Sequence, residues 1–96
     1  MEIIWLRKAL KNLDQEAEYI ARDDPVAARR VVQRIQHSVF LLASNPALGH
    51  SGRLPGTQEL IISDTRYIVP YRVRLRLQQI EILRVFHTSR QLPRRW

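Results

Sequence analysis

The sequence predicts an α+β domain of order β-α-α-β-β-β. It has an antiparallel twisted sheet with an N-terminal αα-hairpin packed on one face. Three observations predict it. The first half holds two stretches whose apolar residues recur at helical spacing. The second half holds three stretches rich in branched and aromatic residues, two of them alternating. Between the halves, Asn45 to Gly56 carries Pro46, Pro55, Gly49, Gly52 and Gly56, the composition of a loop. With both helices on one face, the other face of the sheet is expected to be partly open.

Glu2 to Trp5 reads as a short strand. From Leu6 the period changes: Leu6, Ala9, Leu10, Leu13, Ala17, Ile20 and Ala21 form one stripe, with Lys8, Lys11, Gln15 and Glu18 opposite. Asp23-Asp24-Pro25 ends this helix and begins the next. Asp24 can cap free N–H groups, and Pro25 suits the first helical position, where its missing donor costs nothing. Ala28, Val31, Val32, Ile35, Val39 and Leu42 make the second stripe, which Asn45-Pro46 stops. A tight turn between the helices makes an αα-hairpin.

Three strands follow: Glu59 to Ser63, Arg66 to Val73, and Gln78 to His87. In the second, Tyr67, Val69, Tyr71 and Val73 alternate with Arg66, Ile68, Pro70 and Arg72. Pro70 cannot donate to a ladder, so a bulge or an edge-facing position is expected there. Arg74 to Leu77 is the turn before the last strand, without glycine. That strand alternates over Ile80-Glu81-Ile82 and becomes apolar on both faces through Leu83, Val85 and Phe86. It delivers His87 and Arg90 at its exit.

The 96 residues make one domain, residues 1–96. There is no cysteine, hence no disulfide framework, and three dispersed histidines argue against a zinc site. No cofactor is expected. The apolar run Val39 to Ala43 is far too short to span a bilayer, and the N-terminus lacks the pattern of a signal peptide, so a cytoplasmic location is expected.

The net charge of +7 is segregated. Residues 1–48 hold seven Lys/Arg and six acids; residues 49–96 hold nine Arg and three acids. Arginine matches phosphate or carboxylate oxygens bidentately, so this half expects an anionic partner, nucleic acid or an acidic protein segment.

The residues also resemble a known family. Asp24-Pro25 with Ala27-Ala28, Asn45-Pro46 with Gly49, Gly52-Arg53, Gly56-Thr57 and Glu59-Leu60 begin the pattern. Tyr67-Ile68-Val69, Tyr71-Arg72-Val73 and Ile82-Leu83-Arg84-Val85, with His87, Arg90 and Pro93, complete it. In this order they resemble the RelE/ParE toxins of bacterial type II toxin–antitoxin systems. The resemblance implies the same fold and an acidic cognate antitoxin that neutralises the toxin. RelE-like members cut mRNA on the ribosome; ParE-like members poison DNA gyrase and lack the nuclease residues. The Tyr-Ile-Val and Tyr-Arg-Val runs and the Val-Phe-His exit are more similar to ParE-type and plasmid-stabilisation sequences. The His-Tyr ending and the lysine pairs of several nucleases are absent. Arg66 and Gln58 depart from the usual residues of relatives.

RNA cleavage needs an acid, a base and cations on the phosphate. His87 can be acid or base. Arg53, Arg66 and Arg90 can hold the phosphate. The second proton-transfer group is missing, with Asp64, His50 and Glu59 the candidates. Each feature also has a plain structural reading. His87 can be a hydrogen-bonded strand end, and Arg84 a partner of Glu59 or Glu81. Arg72, Arg74 and Arg76 can form a solvated hairpin. Arg30, Arg34 and His37 make an i, i+4, i+7 stripe, either solvated or an antitoxin contact. Trp5 suits the core, and Trp96 a cover or an antitoxin anchor. A gyrase-binding toxin is the first reading and an mRNA endoribonuclease the alternative. A non-toxic basic nucleic-acid-binding module is the third, with few aromatics available for base stacking.

Overall fold

The computed structural model describes residues 1–89. Arg90 and the tail residues Pro93, Arg94, Arg95 and Trp96 lie outside the described residues. Strand β1 (Glu2–Trp5) leads into α1 (Arg7–Ala21) and α2 (Pro25–Phe40), which a short 3-10 turn, Leu41–Ala43, extends. Then come β2 (His50–Ser51), β3 (Gln58–Ile61), β4 (Tyr67–Arg74), β5 (Gln79–Ile82) and β6 (Phe86–His87). Asp24 caps α2 as expected, its carboxylate accepting from the Ala27 N–H at 3.0 Å, with Pro25 next. The short β2 lies inside the stretch expected to be only a loop.

The sheet runs β1-β5-β4-β3-β2, with β6 also paired to β4. One expectation is corrected. The sheet is mixed rather than wholly antiparallel, because β1 runs parallel to β5, Glu2 opposite Gln79 and Trp5 opposite Ile82. The strands β2 to β5 meander antiparallel. The helical pair separates β1 from all of them in sequence. A crossover of that length allows parallel entry, and β1 takes the free edge of β5. The chain start is tied there as well, the terminal amine donating to the Ala43 carbonyl at 2.8 Å.

The core lies between the helices and one sheet face. It joins Ala9 and Leu13 of α1, Ile35 and Val39 of α2, and Leu42 to Leu60, Tyr67, Val69, Tyr71, Ile80, Ile82 and Val85. Trp5 packs against it half-buried, as the sequence suggested. Leu10, expected on the α1 stripe, is exposed; it sits about 100° around the helix from buried Ala9, at the stripe's margin. On the sheet's other face, Arg72 and Arg74 of β4 both reach Glu81 of β5, at 2.5 and 3.5 Å. The hairpin arginines are thus partly an ion-pair network rather than only a solvated face.

Pro70 explains the shape of the last strand. It sits mid-strand in β4, opposite Glu59 of β3. Its carbonyl accepts from the Leu83 N–H at 2.9 Å, but it has no N–H to return the bond. The Leu83 carbonyl is taken instead by the Arg84 guanidinium at 2.6 Å. Directly beyond, the register slips. Tyr71 opposes Ile82, whereas Ile68 opposes Phe86 and Tyr67 opposes His87, so Arg84 and Val85 together face Val69. This is a one-residue β-bulge, the feature expected from the proline. Asn12 of α1 accepts the Val85 N–H at 3.2 Å and holds the bulge against the helix. The turn before β5 is a 3-10 turn, Leu75–Leu77, closed by Gln78 at φ 52° in place of a glycine.

Candidate functional site

The bulge turns His87 toward the helix side of the sheet, beside Tyr67. The two rings meet edge to face, centroids 5.0 Å apart. The Tyr67 hydroxyl donates to Glu16 of α1 at 2.9 Å. The His87 Nδ1 accepts from the Ser89 N–H at 3.2 Å, which leaves any proton of the neutral ring on Nε2. Arg66, on the residue before β4, joins this corner. Its carbonyl accepts from the Thr88 N–H at 2.6 Å, and its guanidinium donates to the Ser89 hydroxyl at 3.0 Å. Residues 66 and 87 to 89 are therefore locked together, with Arg66 facing solvent.

Arg53 is elsewhere. Its backbone N–H and its Nε both donate to one oxygen of Glu59 at 3.0 Å, and a terminal nitrogen reaches the other oxygen at 3.4 Å. The Glu59 side chain is only 5% exposed. Glu59 alternates along β3 with core residue Leu60, so this pair belongs to the face opposite the helices, whereas His87 lies on the helix side. Burial pushes the Glu59 carboxyl up, but the Arg53 hydrogen bonds and charge outweigh it and hold the group below its ordinary range. Arg53 thus neutralises a buried carboxylate and fastens the segment ahead of β3.

The same segment is fastened twice more. Fully buried Tyr71 donates its hydroxyl to the Pro46 carbonyl at 2.7 Å and accepts the Gly49 N–H at 2.9 Å. Burial raises the Tyr71 hydroxyl above its ordinary value, so it stays protonated and able to donate. A Cβ on Gly49 would stand 2.7 Å from both the Glu59 carbonyl oxygen and the Tyr71 ring, which leaves room for glycine alone.

The sequence candidates therefore separate. His87 and Arg66 meet at one corner, Arg53 is tied to Glu59 on the other face, and Arg90 lies outside the described residues. Of the candidate second proton-transfer groups, Asp64 pairs with Arg34 of α2 at 3.1 Å, and His50 bonds the Ser51 carbonyl at 2.9 Å. Glu59 sits under Arg53. Arg84, expected against Glu59 or Glu81, bonds the Leu83 carbonyl, and those two carboxylates take Arg53 and the Arg72–Arg74 pair. Sequence reasoning missed Glu16. It is the carboxylate that Tyr67 ties to the His87 corner, but it lies 51 residues from that tyrosine, and no local signal pairs them. Chemically, the corner offers one solvent-facing guanidinium beside an imidazole packed on a tyrosine. Among the described residues, no group of three or more His, Asp or Glu side chains is placed to hold a metal ion. No helix among them is long and apolar enough to cross a membrane.

Comparison with known proteins agrees with this architecture. The family model described as the ParE toxin of the type II toxin–antitoxin system parDE matches residues 3–92. A Sinorhizobium fredii (strain NBRC 101917 / NGR234) protein, Y4kP, provisionally named a toxin, is 46% identical over 91 residues, 95% of this chain and 92% of that protein. A solved chain of the chromosomal ParDE toxin–antitoxin system of P. aeruginosa superposes with a TM-score of 0.79 at 30% identity, covering 91% of this chain and 95% of that one. The isolated E. coli RelE toxin shares the fold at a TM-score of 0.67 and 13% identity, over 94% of this chain and 86% of that one. The match runs over nearly the whole chain, and the protein belongs to the ParE toxin family of type II toxin–antitoxin systems.

Proposed function

We propose that the chain is a growth-inhibiting toxin that acts by binding DNA gyrase in the cytoplasm. Membership of a toxin–antitoxin family implies an antitoxin partner that holds it inactive. One observation carries the binding reading over catalysis: Arg53, a cation that phosphate chemistry would require, is spent on buried Glu59, on the sheet face opposite His87. A nuclease needs its cations and proton-transfer groups around one phosphate. A binder needs a rigid, positively charged surface, and Arg66 at the locked corner fits that need.

The mRNA endoribonuclease is the second reading. It draws on the meeting of His87 and Arg66 at one corner, with Glu16 held beyond Tyr67. A single experiment separates the two. The chain is induced without its antitoxin while plasmid supercoiling, double-strand breaks and mRNA integrity are followed. DNA damage with intact mRNA is the expected result. Prompt mRNA cleavage that His87→Ala abolishes would replace the gyrase reading with the nuclease one. Normal growth would count against both and return the chain to a non-toxic basic module.

A further inference from the structure

The turn between β4 and β5 is built from residues that turns rarely use. Gly, Pro, Asn, Asp and Ser make most turns, because they supply the bend or bond their own backbone. Leu75-Arg76-Leu77-Gln78 holds none of them. Leu75 and Leu77 stand 67% and 56% exposed. With Val73, Arg74 and Arg76 they line a hollow of about 390 Å³. One wall is firm, because Val73 packs partly buried against the core. Three hydrogen bonds hold the turn itself. The Leu75 carbonyl accepts the Gln78 N–H at 3.1 Å and the Gln78 side-chain amide at 2.8 Å, and the Gln78 carbonyl accepts the Glu2 N–H at 2.9 Å. Arg74 is braced on Glu81 at 3.5 Å. Arg76 makes no side-chain hydrogen bond or ion pair among the described residues, and residues 72–78 carry three arginines and no acid. Paired apolar side chains exposed over a preformed hollow mark a contact surface. This tip is remote from the His87 corner: β4 has eight residues, so its two ends lie roughly 23 Å apart.

We propose that this tip is an anchor through which the chain grips gyrase. A projecting apolar side chain of gyrase enters the hollow between Leu75 and Leu77, and carboxylates around it meet Arg76 and the exposed parts of Arg72 and Arg74. Charge and shape select this occupant. A second copy would bring Arg76 against arginine, in a chain of net charge +7. A lipid surface offers no projecting group to a concave, hydrogen-bonded turn, and a nucleic-acid backbone leaves both leucines without an apolar partner. A protein surface supplies both parts, an apolar side chain at the centre and carboxylates at the rim. The inference rests on the gyrase reading and adds to it a contact separate from the Arg66 corner.

The test uses the full chain and the gyrase holoenzyme, with inhibition of DNA supercoiling titrated against toxin concentration. Leu75→Ser with Leu77→Ser, and separately Arg76→Glu, change exposed residues and should leave the circular dichroism spectrum unaltered. The leucine pair should raise the half-inhibitory concentration at least about tenfold and Arg76→Glu at least about threefold. Phe40→Ser, a similarly exposed apolar change on α2, should stay within about twofold of wild type. If the leucine variant unfolds, Leu75→Ala with Leu77→Ala carries the same comparison. Wild-type inhibition by either tip variant overturns the proposal and leaves the gyrase reading standing. Absence of inhibition by the wild-type chain overturns the gyrase reading and this contact with it. A leucine variant that still inhibits gyrase but loses the antitoxin, or loses vesicles of phosphatidylcholine and phosphatidylglycerol, would assign the tip to that partner and overturn the proposal as well.

Discussion

Two regions of the sheet hold arginines of similar sequence appearance and opposite circumstance. At the segment ahead of β3, Arg53 lies on buried Glu59, with Tyr71 and Gly49 packed beside it. At the β6 corner, the Arg66 side chain reaches, among the described residues, only a serine hydroxyl and faces solvent. The difference teaches that a cation's role follows from its partner. A guanidinium over a desolvated carboxylate is committed to the fold, because removing it strands a buried charge. A guanidinium held by a neutral hydroxyl keeps its charge available to something outside.

Four changes sharpen or break this contrast. The largest effect is expected at Gly49→Ala, where the new methyl meets a backbone carbonyl and a buried ring; we expect a loss of about 3 kcal/mol or more in urea unfolding. A loss under about 1 kcal/mol would mean that the segment is looser than its contacts imply. Next, Arg53→Ala should cost about 2–3 kcal/mol, against under about 1 kcal/mol for Arg66→Ala; equal costs would erase the contrast. Third, Tyr71→Phe leaves the Pro46 carbonyl and the Gly49 N–H without their partner, and should lower stability by about 1–2 kcal/mol.

The smallest effect is pH-dependent. The folded Glu59 carboxyl titrates below its ordinary 4.5, so the unfolded chain binds its proton first as pH falls. Its contribution is complete above that ordinary value and is lost as pH drops through the folded one. Glu81, lowered chiefly by the Arg72 hydrogen bond, adds in the same sense. Thermal melts across the acid range should therefore decline less steeply in Glu59→Gln than in wild type. Parallel curves would show that Glu59 contributes nothing to the slope.

Much of this was legible in the residues. Apolar spacing placed both helices, Asp24 and Pro25 marked the second helix start, and Pro70 announced a bulge because its missing donor cannot be hidden in a ladder. The direction of β1 was not legible, since a four-residue strand carries no sign of which edge it will take. Nor was the fate of Arg53. Glu59 stands only six residues away, but its burial depends on β4 and on the segment that folds over it. The Glu16–Tyr67 bond and the Arg34–Asp64 pair join residues far apart in the chain, where no local period reaches. The family, in contrast, was legible as a resemblance spread over the whole length, because it rests on many weak signals in order.

The bulge opposite Pro70 also acts as a phase break in the final strand. Up to Leu83 the in–out alternation is set by the core; from Phe86 onward it restarts one step later. Without the bulge, the register of β5 carried on unbroken would put Phe86 against Tyr67 and send His87 to the far side of the sheet. The two segments are thus insulated from each other. Substitutions at the His87 corner therefore leave the hydrophobic pattern of β5 in step with the helices.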